Sequence, residues 1–151
     1  MKPKIGIITS KGGHLYQMSR LKVWWKKYDH FWVTFPGADS ESLLVGERVY
    51  YGYYPETRHL MHAVRHLFLA WDILHKERPT MVISCGAGIA PPFFLVARLM
   101  GIQTVFIEVF DLVKKPSLTG KIVAPFVTHL LVQHEVQKKF YRNAVYKGAI
   151  L

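Results

Sequence analysis

Apolar positions along the chain fall into two alternating patterns. Ile5-Gly6-Ile7-Ile8 is a short β-branched run and predicts a first strand. Leu15, Met18, Leu21 and Trp25 follow at helical spacing. Phe31-Trp32-Val33-Thr34-Phe35 predicts a second strand, closed by Pro36-Gly37. Residues 39–47 read as a short helix or loop, Val49-Tyr50-Tyr51 as a short third strand, and 52–56, with Pro55, as a loop. Residues 57–78 predict a long helix, with Thr57 placed to cap it and Pro79 after its end. Leu60, Val64, Leu67, Phe68, Trp71 and Leu74 form one apolar stripe along it. Met81-Val82-Ile83-Ser84 is apolar enough for a central parallel strand. Pro91-Pro92 suits the first turn of a helix that runs over 93–100 to Gly101. A fifth strand over 104–107, a short helix or ordered loop over 117–125, a sixth strand over 129–133, a helix over 135–142 and a last strand at Ala144-Val145-Tyr146 complete the chain. Strands alternate with helices throughout. The fold class is therefore α/β: a Rossmann-like parallel sheet with helices on both faces.

In such sheets ligands bind beyond the carboxyl ends of the strands, where the strand order reverses. Those ends supply Ser10-Lys11-Gly12-Gly13-His14, Cys85-Gly86-Ala87-Gly88 and Glu108. Two adjacent glycines allow a sharp turn and leave N–H groups uncovered at a helix start, an arrangement that favours a phosphate. His14 stands in the first turn of that helix, beside the same bound group. With strands one and four as central neighbours, both glycine-rich turns line one crevice. Other readings compete. Gly86-Ala87-Gly88-Ile89-Ala90-Pro91 begins like a dinucleotide fingerprint, with Glu108 at about the interval of a ribose-binding acid, but Pro91 replaces the third glycine. Cys85 has no histidine or lysine close by in sequence to activate it and reads as a packing residue. Glu108 can face the crevice, or pair structurally with Lys114 or Lys115.

Composition narrows the setting. A chain of 151 residues, half of them apolar, suits one domain, 1–151, with a proper core and argues against disorder. The single cysteine allows no disulfide framework and fits a reducing compartment. The apolar run after Lys2 and Lys4 is too short for a signal peptide, and none is long enough for a membrane span. Twenty Lys and Arg against ten Asp and Glu leave a net charge of +10, which points to nucleic acid or an anionic membrane. No helix-turn-helix, zinc or RNA-binding motif appears, so nucleic acid is not the expected partner. The aromatic content favours peripheral attachment to a membrane. Arg58, His62 and Arg65 are the membrane-binding candidates on one face of the long helix, with His59 and His66 beside them. The same face could simply be solvated. No cysteine or carboxylate lies near these histidines in sequence, so no metal is expected.

Several stretches together resemble one family. They are Ser10-Lys11-Gly12-Gly13-His14, Ser84-Cys85-Gly86-Ala87-Gly88 with Pro91-Pro92, Val105-Phe106-Ile107-Glu108, Ser117-Leu118-Thr119-Gly120-Lys121, Gln133, and Tyr146-Lys147-Gly148. In this order they resemble the membrane-associated acceptor subunit of the two-component asparagine-linked-glycosylation N-acetylglucosaminyltransferase, in its bacterial exopolysaccharide and capsule branch. The Gly12-Gly13-His14 turn also resembles that of the peptidoglycan lipid N-acetylglucosaminyltransferase, where it lies near the acceptor. Lys11, Val109 and Asp111 depart from the family pattern. The resemblance implies the acceptor-side half of a GT-B glycosyltransferase, inverting and without metal or other cofactor. Its partners would be a separate small donor-binding subunit carrying the nucleotide-sugar site, a polyprenyl-diphosphate-linked sugar acceptor, and the cytoplasmic face of the plasma membrane. His14 is the first candidate for the base that takes the acceptor hydroxyl proton, and Glu108 the second. Ser10, Gly12 and Gly13 would hold the acceptor diphosphate. Gly86, Ala87 and Gly88 would shape the crevice or meet the donor. The terminal Gly148, Ala149, Ile150 and Leu151 are expected to dock the partner, because a single-chain enzyme would continue there into its donor domain. A non-catalytic scaffold that recruits or stimulates a transferase is the alternative.

Overall fold

The structure, a computed structural model, describes residues 2–56 and 58–151. Seven strands form one sheet: β1 (Lys4–Thr9), β2 (Asp29–Thr34), β3 (Val49–Tyr51), β4 (Met81–Gly86), β5 (Gln103–Ile107), β6 (His129–Val132) and β7 (Ala144–Tyr146). Their order is β3-β2-β1-β4-β5-β6-β7, and every neighbouring pair is parallel. The order runs one way from β1 to β3 and the other way from β4 to β7. The carboxyl ends of β1 and β4 therefore flank the switch point.

Alternation along the strands feeds a core on each side of the sheet. On one side Ile8, Phe31 and Val33 pack with Ala70, Ile73 and Leu74 of α4 (Leu60–Glu77) and with Phe93, Phe94 and Ala97 of α5 (Ala90–Leu99). On the other side Ile5, Ile7, Trp32 and Ile83 pack with Leu15 and Met18 of α1 (Gly13–Ser19) and with Trp25 of α2 (Lys22–Trp25). The Val, Leu, Ile, Phe and Met side chains among these each contribute about 1.5–3 kcal/mol on full burial. The apolar residues expected on one helix after β1 are shared between α1 and α2. Trp25 closes the pair by donating its ring N–H to the Met18 carbonyl at 3.2 Å. Two further short helices, α3 (Ala38–Leu43) and α6 (Leu118–Val123), follow β2 and β5. Ser117 caps α6 by accepting from the Gly120 N–H at 2.8 Å. The helix expected over 135–142 is a 3₁₀ helix over Glu135–Phe140.

The long helix differs most from its sequence pattern. It begins at Leu60, capped by the His59 ring, and ends with Arg78 in the left-handed region (φ 49°) before Pro79. The expected cap, Thr57, lies outside the described residues. Its buried face is His66, Ala70, Ile73, Leu74 and Glu77. Most of the apolar stripe points outward instead: Leu60 is 81 % exposed and Phe68 71 %, with Val64 and Trp71 exposed beside them. Two polar residues take inward places, Glu77 with its carboxylate paired and His66 with one ring nitrogen bonded and Nδ1 without a partner among the described residues. Glu77 accepts from Tyr50 at 2.5 Å and from Lys4 at 3.1 Å, and His66 accepts from the Tyr53 N–H at 2.9 Å.

Candidate active site

The two glycine-rich turns meet at the switch point. The Ser10 N–H donates to the Gly86 carbonyl at 3.0 Å, tying the end of β1 to the end of β4. The His14 ring lies against Gly86, whose φ is +118°. A Cβ on Gly86 would stand 3.1 Å from the His14 ring, so glycine suits both the backbone angle and the contact. His14 Nδ1 donates to the Cys85 carbonyl at 3.2 Å. A carbonyl only accepts, so this bond places the ring proton of neutral His14 on Nδ1 and the lone pair on Nε2. Among the described residues Nε2 makes no hydrogen bond. Burial lowers the His14 pKa from its ordinary value, opposed by the nearby carboxylates, Glu56 first. At neutral pH the ring is thus neutral, with an open acceptor nitrogen in the cleft wall.

The remaining expected residues divide. The Cys85 thiol is buried, and burial pushes its pKa up to about 12; it donates to the His14 carbonyl at 3.3 Å and serves as a packed anchor. Glu108 sits at the end of β5 but is fully buried. Its carboxylate accepts from the Val109 N–H at 2.9 Å, from the Ser117 N–H at 3.1 Å and from the Tyr141 hydroxyl. Its partners are therefore two backbone amides and a phenol; neither Lys114 nor Lys115 pairs with it. Gly120 leaves the space that this carboxylate and the Tyr141 hydroxyl fill. Ser10 donates its hydroxyl to Glu56. The Gly12 N–H donates to Asp39 at 2.6 Å. Two of the three groups expected to hold an acceptor diphosphate thus already have carboxylate partners, while Gly13 stands open to solvent.

A cleft of about 1160 Å³ opens from this point. Gly13, His14, Glu56, Ala87 and Gly88 line its polar end. Leu67, Leu95, Ile122 and Phe126 line its walls, and Leu60 and Val64 carry it onto the outward stripe of α4. Arg58 and Arg65 stand exposed by this stripe, and the Arg65 guanidinium lies 5.3 Å from the centre of the Tyr53 ring. His62 is half-buried, donates Nδ1–H to the Pro55 carbonyl at 2.8 Å and stacks on His59. No helix among the described residues is long and apolar enough to cross a membrane.

Behind α1 lies a buried amide network. Gln133 donates to Gln17 at 2.7 Å and to the Glu108 carbonyl at 3.0 Å, and it accepts from the Ile150 N–H at 2.9 Å. Gln137 donates to the Val109 carbonyl at 2.9 Å. Of the four terminal residues expected to dock a partner, Ile150 is half-buried against the chain's own core, while Gly148, Ala149 and Leu151 are exposed.

The family description "Oligosaccharide biosynthesis protein Alg14 like" matches residues 53–150. The chain belongs to this family. Among curated proteins, the Alg14-like chain is 27 % identical over 148 residues to the UDP-N-acetylglucosamine--N-acetylmuramyl-(pentapeptide) pyrophosphoryl-undecaprenol N-acetylglucosamine transferase of Caldicellulosiruptor saccharolyticus. That match covers 88 % of this chain and 39 % of the relative. It is 29 % identical over 91 residues to the human UDP-N-acetylglucosamine transferase subunit ALG14, covering 56 % of this chain and 42 % of that one. The chain thus spans about two-fifths of each relative's length. Among solved structures, MurG of Acinetobacter baumannii superposes with a TM-score of 0.75 at 16 % identity, covering 96 % of this chain and 46 % of that one. The UDP-GlcNAc 2-epimerase of Methanocaldococcus jannaschii gives 0.69 at 16 % identity, covering 90 % and 41 %. At these identities the likeness is one of fold: the Rossmann-like α/β architecture read from the alternating pattern.

Three groups around the site of the Alg14-like chain escaped the sequence reading. Glu56 sits in a loop with no motif. Gln17 reads as an ordinary helix residue. Tyr141 lies 33 positions from the carboxylate it serves. Gln133 alone carried a signal, through the family resemblance.

Proposed function

We propose that this chain, over residues 1–151, is the acceptor- and membrane-binding subunit of a heteromeric inverting GT-B glycosyltransferase. The enzyme would transfer a sugar from a nucleotide-sugar, held by a small donor-binding partner, to a polyprenyl-diphosphate-linked glycan. Its setting would be exopolysaccharide or capsule biosynthesis, with the subunit peripheral on the cytoplasmic face of the plasma membrane. Family membership and the transferase names of the relatives support the reaction class. The observation that carries the reading is the cleft, polar at His14 and the glycine turns and apolar along the walls that meet the outward stripe of α4. A lipid-diphosphate-sugar has the same two-part character.

In this reading the acceptor diphosphate approaches the turn of Ser10, Gly12 and Gly13 at its open end, Gly13, and the half-buried Asp39 gives way at Gly12. Ser10 contributes by holding Glu56. Gly86, Ala87 and Gly88 floor the crevice on the donor side. His14 is the base: the acceptor oxygen forms its bond to the anomeric carbon, the bond from that carbon to the diphosphate breaks with its electron pair, and Nε2 takes the hydroxyl proton. Glu108 holds the segment between β5 and α6 in place, since its oxygens already accept three hydrogen bonds. The test is H14A in the assembled pair. Turnover is expected to fall about 10²-fold or more, with partner binding and unfolding temperature unchanged. Turnover within a few-fold of wild type would remove His14 from the chemistry and favour a scaffold.

A further inference from the structure

Glu56 occupies a junction that neither the family resemblance nor the motif reading marked. It lies on the segment between β3 and α4, in the polar wall of the cleft with His14. Each carboxylate oxygen is held from a different turn. One accepts from the Ser10 hydroxyl, at the end of β1. The other accepts from the Ile89 N–H at 3.2 Å, in the turn after β4. The backbone closes on the same turn: a Cβ on Gly88 would stand 2.7 Å from the Glu56 carbonyl oxygen, so only glycine at 88 admits this approach. Glu56 is thereby a clasp between the two turns that frame His14.

The clasp also carries charge. The acidic groups that act on His14 come from two sides of the cleft: Glu56 from the β3–α4 segment, then Asp111 and Glu108 from the segment after β5. From β4 the Cys85 carbonyl and thiol face the ring. Glu108 is spent on its own three donors, and Asp111 is exposed to water, which screens it. Glu56 is half-buried and lies first among them.

We infer that Glu56 is a positioning residue for the transfer, which holds the two glycine-rich turns around His14 and stabilises the imidazolium formed when Nε2 takes the acceptor proton. This rests on the reading of His14 as the base. The arrangement is balanced for that step: the proton leaving the acceptor hydroxyl stays on His14, beside a fixed negative charge, while the nucleoside diphosphate departs with the electron pair.

The experiment is a titration of the His14 ring by carbon-detected NMR on the full chain, without any transferase assay. E56Q keeps the size of the side chain and removes the charge. Its His14 midpoint is expected to fall by about half a pH unit or more relative to wild type. D111N should move it by less. E56D, which withdraws the charge by one methylene, should fall between E56Q and wild type, and it carries the test should E56Q fail to fold. In the assembled enzyme E56Q should lower kcat about tenfold or more with acceptor KM changed less than about threefold. An unmoved His14 midpoint in E56Q, or in E56D where that variant stands in, overturns the role of Glu56. A fully active H14A overturns the base assignment instead. The two failures are read in different measurements.

Discussion

Two histidines in this chain show how surroundings set the chemistry of one residue type. His14 is neutral but reachable, with Nδ1 committed to a carbonyl and Nε2 open. His66 is neutral and sealed: burial, with the charge of His62 adding to it, lowers its pKa from 6.5 to about 4. That difference has a thermodynamic sign. In the unfolded chain His66 regains an ordinary pKa and takes up its proton first as pH falls. Stability is therefore full above about pH 6.5 and is lost progressively down to about pH 4, by roughly 3 kcal/mol in all. Urea midpoints measured across this window should fall for wild type and fall distinctly less for H66Q. An equal slope in both proteins would assign the loss to other groups. His14 was legible in the sequence because its signal is local, a histidine after two glycines behind an apolar strand. Glu56 was not, since its partners Ser10 and Ile89 lie 46 and 33 positions away. Only the fold brings them together.

At the scale of elements, α4 teaches the most. Periodicity locates an apolar stripe on a helix without saying whether protein or something else covers it. The core face of α4 is narrow because Ala70 is small and because Glu77 and His66, each with a hydrogen-bond partner, enter it. The stripe is left facing out, with Arg58 and Arg65 nearby. Apolar side chains flanked by cations suit the headgroup region of an anionic bilayer. Each basic residue there contributes on the order of 1 kcal/mol, so R58A/R65A should weaken sedimentation with phosphatidylserine vesicles by roughly one to two powers of ten. Equal sedimentation of both proteins would mean that this face meets only water. The strands, by contrast, were legible almost to the residue, because a parallel sheet covered on both faces demands continuous apolar runs.

For the whole molecule, the charge is spread unevenly between pairs and open surface. Among the described residues the ion pairs to carboxylates draw on only Lys4, Lys26 and Arg48 of twenty Lys and Arg. The surplus suits attachment to an acidic surface. Transfer also needs a donor site, and the seven-stranded sheet offers one crevice at its one switch point. The isolated chain is therefore expected to show no transferase activity until it is mixed with a donor-binding subunit. Removing residues 148–151 should weaken that association about tenfold or more, and should also release the Ile150 bond to Gln133. Transfer by the chain alone would overturn the two-subunit reading. Undiminished co-purification after truncation would move the docking surface elsewhere.

The strand order has a consequence for biogenesis. β1 is an interior strand of the sheet, yet one of its two neighbours, β4, is reached only after β2 and β3 have been made. About 70 residues separate them, which at a cellular synthesis rate of about 5–20 residues per second is a wait of about 4–14 seconds. No hairpin shortens it, because every pairing in the sheet is parallel. Until β4 is made the nascent chain carries Ile5, Ile7 and Ile8 on a strand with at least one unpaired edge, which is open to pairing with a wrong neighbour.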